Sequence, residues 1–408
     1  MHTPGVPPAA LPPAFASHPI MHRIGLSRSQ SGPAQCCAAP HRVEGPAIDS
    51  EAVTLLFATL LLPAAIAAIA LIARRNYLSL PELPVSENTQ PPDHVVIIPA
   101  RGAALMLARA VDSFPQSEVV VVVDKRISDA TALAAAAAGA HIRAAEPLQK
   151  QWKGEPSACW TGARYTESEW ILFVGADTWY EPAFLPSLLD YAVSEGLVAM
   201  SVFPRQHLPG WLEKVMRPYI LGIQFSGVDA VGANNPLNPQ TIACGHCFLV
   251  RRDAYEFTQG HRAVASSFIQ DVALAGLFKR HRMKYRVVRA ESMAHSRSRE
   301  SLGAVWQDLE KQSLKFVTLG LRGGLICALS ALVMIAWLPV IGALLVFGHL
   351  LAAGLCLFVS GLAWLPWHRQ SLPALLVPCA AWLFPILAIS GLVKDYFGLR
   401  TSGTRRTV

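Results

Sequence analysis

Two apolar blocks, one towards each end of the sequence, constrain this chain most. The first, Ala52–Ala73, is uncharged, ends at Arg74 and Arg75, and has the length of about 20 residues that a bilayer-spanning helix needs. The second block covers residues 323–393 and divides into segments near 323–347, 350–366 and 371–393. Only 15% of the 408 residues are charged and 52% are hydrophobic, whereas a soluble domain carries about 25% charged residues. The composition therefore argues against a purely soluble, disordered or nucleic-acid-binding protein.

The two blocks divide the chain into five predicted parts. We expect a disordered, proline-rich leader (1–50), a transmembrane anchor (51–75), a globular domain (93–316), two to three transmembrane or interfacial helices (323–393) and a basic tail (394–408). The leader is too rich in Pro, Ala, Ser and Gly to bury a core. The first apolar run is longer than the 7–15 residues of a signal-peptide core, which favours an uncleaved anchor over a secretory signal.

The positions of basic residues predict how the chain is oriented. Arg74 and Arg75 place the central domain in the cytoplasm by the positive-inside rule, so we expect a multi-pass inner-membrane protein. Two spans and one interfacial segment in the second block, rather than three spans, would also bring Arg400, Arg405 and Arg406 inside. The net charge of +7 suits DNA, an anionic membrane surface or a phosphorylated substrate.

Short apolar runs alternate with helical patterns in the central part, which is typical of an α/β fold with a doubly wound sheet. The predicted strands are residues 95–99, 118–123, 141–144 and 170–174, and the helices between them are 104–113, 129–138 and 155–166. Ligands of such sheets bind beyond the carboxyl ends of the strands. Asp124 and Asp177 follow two of these strands and are candidate site residues by position.

Each of these candidates also has a plainer interpretation. Asp124 and Asp177 suit Mg²⁺ or Mn²⁺ bound together with a substrate diphosphate, but a helix cap or turn explains a single aspartate as well. Lys153, in the loop before a helix, is either a phosphate partner or a solvated lysine. Asp271 begins a helix, where the helix dipole favours a carboxylate, and it is also a candidate general base for an acceptor hydroxyl.

Two of the cysteines have a spacing that is typical of functional sites. Cys244 and Cys247 form a CxxC pair, which is typical of redox sites or of half a zinc site. The segment Phe248–Val250 continues as a strand instead of opening a helix, and no second CxxC or His pair lies at zinc spacing. We therefore predict a packed loop, and the eight scattered cysteines predict no disulfide framework.

Taken in order, five segments resemble glycosyltransferase family 2, the inverting GT-A transferases that use sugar nucleotides. They are VVIIPARG (95–102), VVVVDKRISDAT (120–131), WKGEPSACWTGARYTESEWILFVGADT (152–178), CGHCFLVRRDAYEFTQGH (244–261) and FIQDVALAGLFKRHRMKYRVV (268–288). The resemblance implies a GT-A domain with a Rossmann-like sheet, flanked here by the transmembrane helices, and a divalent cofactor, Mg²⁺ or Mn²⁺. It also implies roles for individual residues: Asp124 at the nucleotide, Asp177 at the metal, Lys153 near the diphosphate, Asp271 as the base, and Gly245 and His246 in the acceptor-side loop.

The sequence departs from the family pattern at two acidic positions. Lys125 replaces the second acid of the D-D pair, and Gly175 replaces the first acid of D-x-D. A metal held by Asp177 alone among side chains would bind mainly through the nucleotide diphosphate.

The segment 296–316 carries no Q-x-x-R-W motif, which the polymer-forming members of the family have. It is more similar to bacterial transferases that act on carotenoid or hopanoid lipids, and ceramide glucosyltransferase is a more distant relative. By this resemblance Arg297, Trp306 and Lys311 bind substrate. The helix predicted over Leu208–Leu221, with Lys214 and Arg217 on the side opposite its apolar residues, is either interfacial or packed on the domain.

The sequence thus predicts a membrane-bound enzyme that moves one sugar from a nucleotide-sugar, with UDP as the expected nucleotide, to a membrane lipid with inversion. Its expected partners are the donor, the lipid acceptor and the bilayer, with no nucleic acid. The alternatives are a polysaccharide or polyprenyl-phosphate sugar transferase, and a catalytically dead scaffold that binds nucleotide-sugars.

Overall fold

The fold is taken from a computed structural model that describes residues 53, 57–88, 90–100, 104–123, 129–149, 152–297, 301–368 and 372–397. The strands are β1 His94–Ala100, β2 Glu118–Val123, β3 His141–Ala144, β4 Trp170–Val174, β5 Thr178–Tyr180, β6 Ala199–Phe203, β7 Arg205–His207, β8 Cys247–Arg251, β9 Tyr285–Arg289 and β10 Ala294–Arg297.

The α-helices of the globular part lie mostly between these strands. They are α1 Leu62–Leu78 before the sheet, then α2 Ala104–Asp112, α3 Asp129–Ala137, α4 Gly154–Arg164, α5 Phe184–Ser194, α6 Trp211–Ser226, α7 Ala230–Ala233, α8 Arg252–Phe257, α9 Gly260–Ala263, α10 Gln270–Arg280 and α11 Leu302–Ser313. After α11 come the 3₁₀ turn Lys315–Leu319 and three apolar helices: α12 Gly320–Val346, α13 Leu350–Trp364 and α14 Val377–Tyr396.

The main sheet has seven strands in the order β3-β2-β1-β4-β8-β6-β9. The four predicted strands are β1 to β4, and they pair in parallel as expected. The α/β prediction is therefore confirmed, with one difference: β8 is antiparallel to both β4 and β6, so the sheet is mixed. A three-stranded sheet, β5-β10-β7, adjoins it.

The two faces of the main sheet belong to two different apolar cores. In β1, Val95 and Ile97 pack into one core while Val96 and Ile98 pack into the other, because successive side chains of a strand point to opposite faces. A strand that is buried on both faces has a continuous run of apolar residues, which explains why polar and apolar residues do not alternate in Val95–Ile98. The first core continues without interruption into the apolar helices α1 and α12 to α14.

Among the described residues, three helical segments are long and apolar enough to cross a membrane: Thr59–Leu78, Leu302–Val346 and Leu372–Tyr396. Helix α13, with 15 residues, is shorter than the span of about 20 residues that a bilayer requires. Many leucines of these helices have exposed side chains, for example Leu321 at 90% and Leu351 at 91%. Exposed leucine in such number suits a lipid environment better than water.

Helix α6 connects the globular part to the apolar helices. It packs against α1, α11, α12 and α14. Arg217, which the sequence placed on the polar side of this helix, is instead only 5% exposed and forms ion pairs with Glu213 and Asp308. Helix–helix contact on several sides leaves no fully polar face, so a charge there has to be paired.

The end of α6 and the start of α12 come unusually close. A Cβ atom built at Gly227 would lie 2.2 Å from the carbonyl oxygen of Gly323, a separation that real Cβ atoms do not show. Only glycine therefore fits at residue 227 without movement of the backbone.

Candidate active site

The antiparallel strand β8 brings a loop to the carboxyl end of β4. Cys247 of β8 pairs with Val174, the last residue of β4, so the residues just before β8 lie where β4 ends. The backbone N–H of Gly175 donates to the carbonyl oxygen of His246 at 3.0 Å. This pairing brings Gly245 and His246, predicted for the acceptor side, next to the segment that carries Asp177.

A small cavity of about 30 Å³ lies at this edge. Its wall includes Gly175, Gly245, Gln270 and Asp271, together with Glu155 of α4 and His261 of α9. Thus two of the predicted site residues, Gly245 and Asp271, line one cavity. A space of this volume is large enough for a water molecule rather than for a substrate.

Asp271 lies in the first turn of α10 and its side chain is 3% exposed. Lys315 Nζ donates to its Oδ2 at 2.5 Å, whereas no group among the described residues donates to the buried Oδ1. Burial alone raises the pKa of Asp271, but the ammonium groups of Lys315 and Lys311 outweigh it and hold the pKa below its ordinary value. The carboxylate is therefore ionised although it is buried.

Asp177 is half-buried and lies three residues beyond Val174, the last residue of β4. A Cβ atom built at Gly175 would lie 2.6 Å from Asp177 Oδ1, so the aspartate carboxylate occupies the space that a side chain at residue 175 would need. The backbone N–H of Arg297 donates to the carbonyl oxygen of Asp177 at 2.9 Å, which ties β10 to the same segment.

The described residues contain no group of three or more His, Cys, Asp or Glu side chains that could hold a metal ion. Asp177 can supply one carboxylate ligand. Mg²⁺ is commonly bound by one or two carboxylates together with substrate phosphates and water. The residues present thus fit a metal that arrives with a nucleotide diphosphate, and they do not form a metal cage of their own.

The CxxC pair does not bring its two sulfurs together. Cys244 packs in the core on one face of the sheet and Cys247 in the core on the other face. The Cys244 thiol lies 3.3 Å from Nδ1 of His246. Burial lowers the pKa of His246, but Cys244 and Asp177 raise it by more than burial lowers it, so that the pKa is about 9. The two cysteines are free and buried, which agrees with the predicted packed loop.

Lys153, Lys311 and Trp306 do not themselves line the cavity. Lys153 immediately precedes α4, and its backbone N–H donates to Ala265. Lys311 Nζ lies 3.4 Å from Glu155 Oε2, at the cavity wall. Trp306 is directed elsewhere, since its Nε1 donates to Glu310 at 2.8 Å. Asp124 lies outside the described residues.

Sequence reasoning missed Lys315, Glu155 and His261. Lys315 lies 44 residues from its partner Asp271, and Glu155 lies 156 residues from Lys311, so no local spacing could connect them. His261 ends the fourth resembling segment, and that position was the only available signal.

His261 predicts a pH dependence of stability. Burial lowers its pKa to about 3, with the ring edge-on to Phe173 and Nδ1 3.0 Å from the Tyr255 hydroxyl. The unfolded chain protonates this histidine near pH 6.5, so the unfolded state binds more protons and stability falls as pH decreases below 6.5. At pH 5.5 the loss is about 1.4 kcal/mol relative to neutral pH.

Unfolding of the detergent-solubilised protein at pH 7.5 and 5.5 measures this loss, with His261→Gln as the comparison. The variant should lose about 1.4 kcal/mol less than the wild type over this interval. Equal losses in the two proteins would remove His261 as the cause.

The mixed α/β sheet has two carboxylates near its carboxyl edge, the buried and ionised Asp271 and the half-buried Asp177. Many α/β proteins bind their ligands at this edge of the sheet, so the chain has the features of a ligand-binding α/β protein. Residues 95–258 match the family model described as Glycosyl transferase family 2. Over these residues the chain is therefore similar to glycosyltransferase family 2, the same family that the five sequence segments resemble.

A curated relative is 30% identical over 220 residues: 4,4'-diaponeurosporenoate glycosyltransferase of Staphylococcus haemolyticus (strain JCSC1435). The match covers 51% of this chain and 56% of the relative, so the chain spans about half the length of the curated relative that it matches.

Solved structures that match this chain include a mannosyltransferase from Pyrobaculum calidifontis in complex with GDP-Man and Mn²⁺. It is 17% identical with a TM-score of 0.49, over 85% of this chain and 99% of that one. Another is glucosyl-3-phosphoglycerate synthase from Mycobacterium tuberculosis in complex with Mn²⁺, UDP and glucosyl-3-phosphoglycerate. It is 18% identical with a TM-score of 0.38, over 56% of this chain and 81% of that one.

Proposed function

We propose that the protein is a membrane-bound glycosyltransferase that moves one sugar from a nucleotide-sugar, a UDP-sugar in our assignment, to a lipid acceptor. The observation that carries this proposal is the ionised Asp271 carboxylate in a cavity at the carboxyl edge of a family 2 domain. The carotenoid-type relative and the three long apolar helices support a lipid acceptor. The apolar helices favour a membrane location, and Arg74 and Arg75 after the first apolar run support our assignment of the catalytic domain to the cytoplasm.

In the proposed mechanism Asp271 is the general base. Its Oδ1 takes the proton from the acceptor hydroxyl as that oxygen bonds to the anomeric carbon, and the bond from that carbon to the diphosphate oxygen breaks on the opposite face. The sugar configuration is inverted, the electron pair leaves with the nucleotide diphosphate, and Asp271 is left protonated. A base must be ionised to accept a proton, and the lysines around Asp271 keep it so at neutral pH.

The other predicted residues bind substrate in this scheme. Asp177 would hold Mg²⁺ or Mn²⁺ together with the donor, and such an ion neutralises negative charge on a diphosphate. Asp124 and Lys153 would bind the nucleotide and its diphosphate. Gly245 and His246 would border the acceptor, and Arg297, Trp306 and Lys311 remain substrate-binding assignments by resemblance.

Asp177→Ala should separate metal-assisted from metal-independent binding of the donor. Because Asp177 is the one carboxylate assigned to the metal, we expect UDP affinity in Mn²⁺ to fall at least about tenfold, while affinity in EDTA stays unchanged. Calorimetry of the solubilised protein measures both. Asp253→Ala, at the opposite end of β8 and 65% exposed, is the matched control.

Mn²⁺ affinity of wild-type protein without nucleotide should be weak. Tight binding of Mn²⁺ to the free protein, or unchanged UDP affinity in Asp177→Ala, would remove Asp177 from the site.

The function is tested by supplying labelled UDP-sugars to membranes that contain the protein and identifying products by mass spectrometry. The expected result is UDP release together with a lipid that has gained one sugar. A polymeric product would indicate a polysaccharide transferase, and sugar on a polyprenyl phosphate would indicate that transferase class. Donor binding without UDP release would indicate a scaffold.

A further inference from the structure

Lys315 connects the candidate base to the first of the C-terminal apolar helices. It opens the 3₁₀ turn Lys315–Leu319, which is followed directly by α12. Its ammonium group donates to Asp271 Oδ2 at 2.5 Å and to the carbonyl oxygen of Ala243 at 3.0 Å. The lysine side chain is 12% exposed and the aspartate 3%, so the pair is largely shielded from water.

The two carboxylate oxygens of Asp271 are not equivalent. Oδ2 is held by Lys315, while the buried Oδ1 receives no hydrogen bond from the described part of the chain. A buried acceptor without a donor costs free energy, so its persistence requires that the carboxylate be held by something else. Lys315 provides that constraint, since rotation of the carboxylate would break its short contact with Oδ2.

The same ammonium group also binds the segment that leads into the loop beside Asp271. Ala243 immediately precedes the Cys244–His246 loop, and its carbonyl is bound by Lys315. A Cβ atom built at Gly245 would lie 3.4 Å from Asp271 Oδ2, so the loop lies in contact with the carboxylate. One cation therefore fixes the distance between the base and the loop assigned to the acceptor.

We propose that Lys315 is the positioning residue of the base: it fixes Asp271 with Oδ1 free for the acceptor proton and attaches the base to the turn that starts α12. The inference rests on the proposed function, because Asp271 needs positioning as a base only if the domain transfers a sugar. Its consequence is that the reacting carboxylate is set in place by the segment that leads into the membrane helices.

Other charged groups face Asp271 and set the size of the expected effect. Lys311, four residues before Lys315, is the second ammonium group that acts on it, and Lys311 is itself paired with Glu155 of α4. The Tyr285 hydroxyl of β9 lies close enough to interact with the carboxylate but donates to Ile242. Loss of Lys315 therefore leaves Lys311 to oppose the effect of burial with less positive charge than before, and the pKa of Asp271 should rise.

The test is the pH profile of kcat/KM for sugar transfer by Lys315→Gln in lipid nanodiscs. Because Asp271 must be ionised, activity declines as pH falls through its pKa, and a raised pKa moves that acidic limb to higher pH. We expect a shift of about one pH unit or more, with a donor KM within about threefold of wild type. Lys315→Arg, which keeps the charge, should restore the wild-type limb.

Lys284→Gln removes an exposed lysine and should leave the profile unchanged. If Lys315→Gln does not fold, Lys315→Met, which keeps the length of the side chain and removes its charge, replaces it, with a shift expected in the same direction. An acidic limb that stays in place in the folded variant overturns the proposal. Asp271→Asn separates failure of the proposed function from failure of the role of Lys315. If Asp271→Asn keeps its activity, Asp271 is not the general base. If Asp271→Asn loses activity while the acidic limb of Lys315→Gln stays in place, only the role of Lys315 is refuted.

Discussion

Asp271→Asn should abolish sugar transfer while leaving nucleotide binding almost intact. The amide has nearly the size of the carboxylate and can still accept a hydrogen bond from Lys315, but it cannot take the acceptor proton. General-base catalysis contributes about 10²–10⁴ in rate, so we expect turnover to fall by at least that factor. Initial rates of UDP release from membranes measure the first effect, and UDP affinity by calorimetry measures the second.

Asp253→Asn is the matched control for this variant, because Asp253 is an exposed aspartate near the start of a helix that does not border the cavity. It should keep the wild-type rate. A near-normal rate in Asp271→Asn would show that another group accepts the proton. A wild-type protein that binds UDP-sugar but never releases UDP would instead favour the scaffold alternative.

Glu310→Ala should destabilise the contact between the globular part and the last apolar helix. Glu310 of α11 has a side chain 1% exposed, and its Oε1 accepts hydrogen bonds from Trp306, from Ser390 at 2.6 Å and from Lys394 at 2.5 Å. Breaking a buried ion pair by removing one partner costs about 3–5 kcal/mol. Because Lys394 remains 37% exposed and can reach water, we expect about 2–3 kcal/mol.

Thermal unfolding and limited proteolysis in nanodiscs measure this loss. Glu310→Gln keeps the shape and an acceptor oxygen, so it should lose less stability than the alanine variant. Glu256→Ala is the matched control, because Glu256 has a side chain that is 65% exposed and makes only a long contact with Arg252. Unfolding of Glu310→Ala at the wild-type temperature would show that the three hydrogen bonds add no net stability.

The parallel half of the sheet could be predicted because its strands are buried on both faces. Val95–Ile98 and Val119–Val123 are apolar throughout, and such runs have few alternatives in an α/β chain. The antiparallel β8 could not be placed this way, since Cys247–Val250 is equally apolar in either direction. Its direction depends on the path of the chain through α6 and α7, which is a property of tertiary packing.

The candidate site was predictable where the chemistry is local. Asp177 was found from its position after a strand, and Asp271 from its position at the start of a helix. Arg217 was placed wrongly, because helical periodicity records which residues share a face and not what packs against that face. The role of Lys315 could not be predicted from the sequence, because its contact with Asp271 forms only when the fold brings α10 and the turn before α12 together.

The close approach of Gly227 and Gly323 limits how the molecule can move. The backbones of Gly227 and Gly323 are so close that not even a methyl group fits between them. A hinge motion between the globular part and α12 would have to break this backbone contact. We therefore expect the sheet and the first C-terminal apolar helix to move as one body, with the height of the cavity above the bilayer midplane fixed. Access for a substrate would then not involve closure of the globular part against α12.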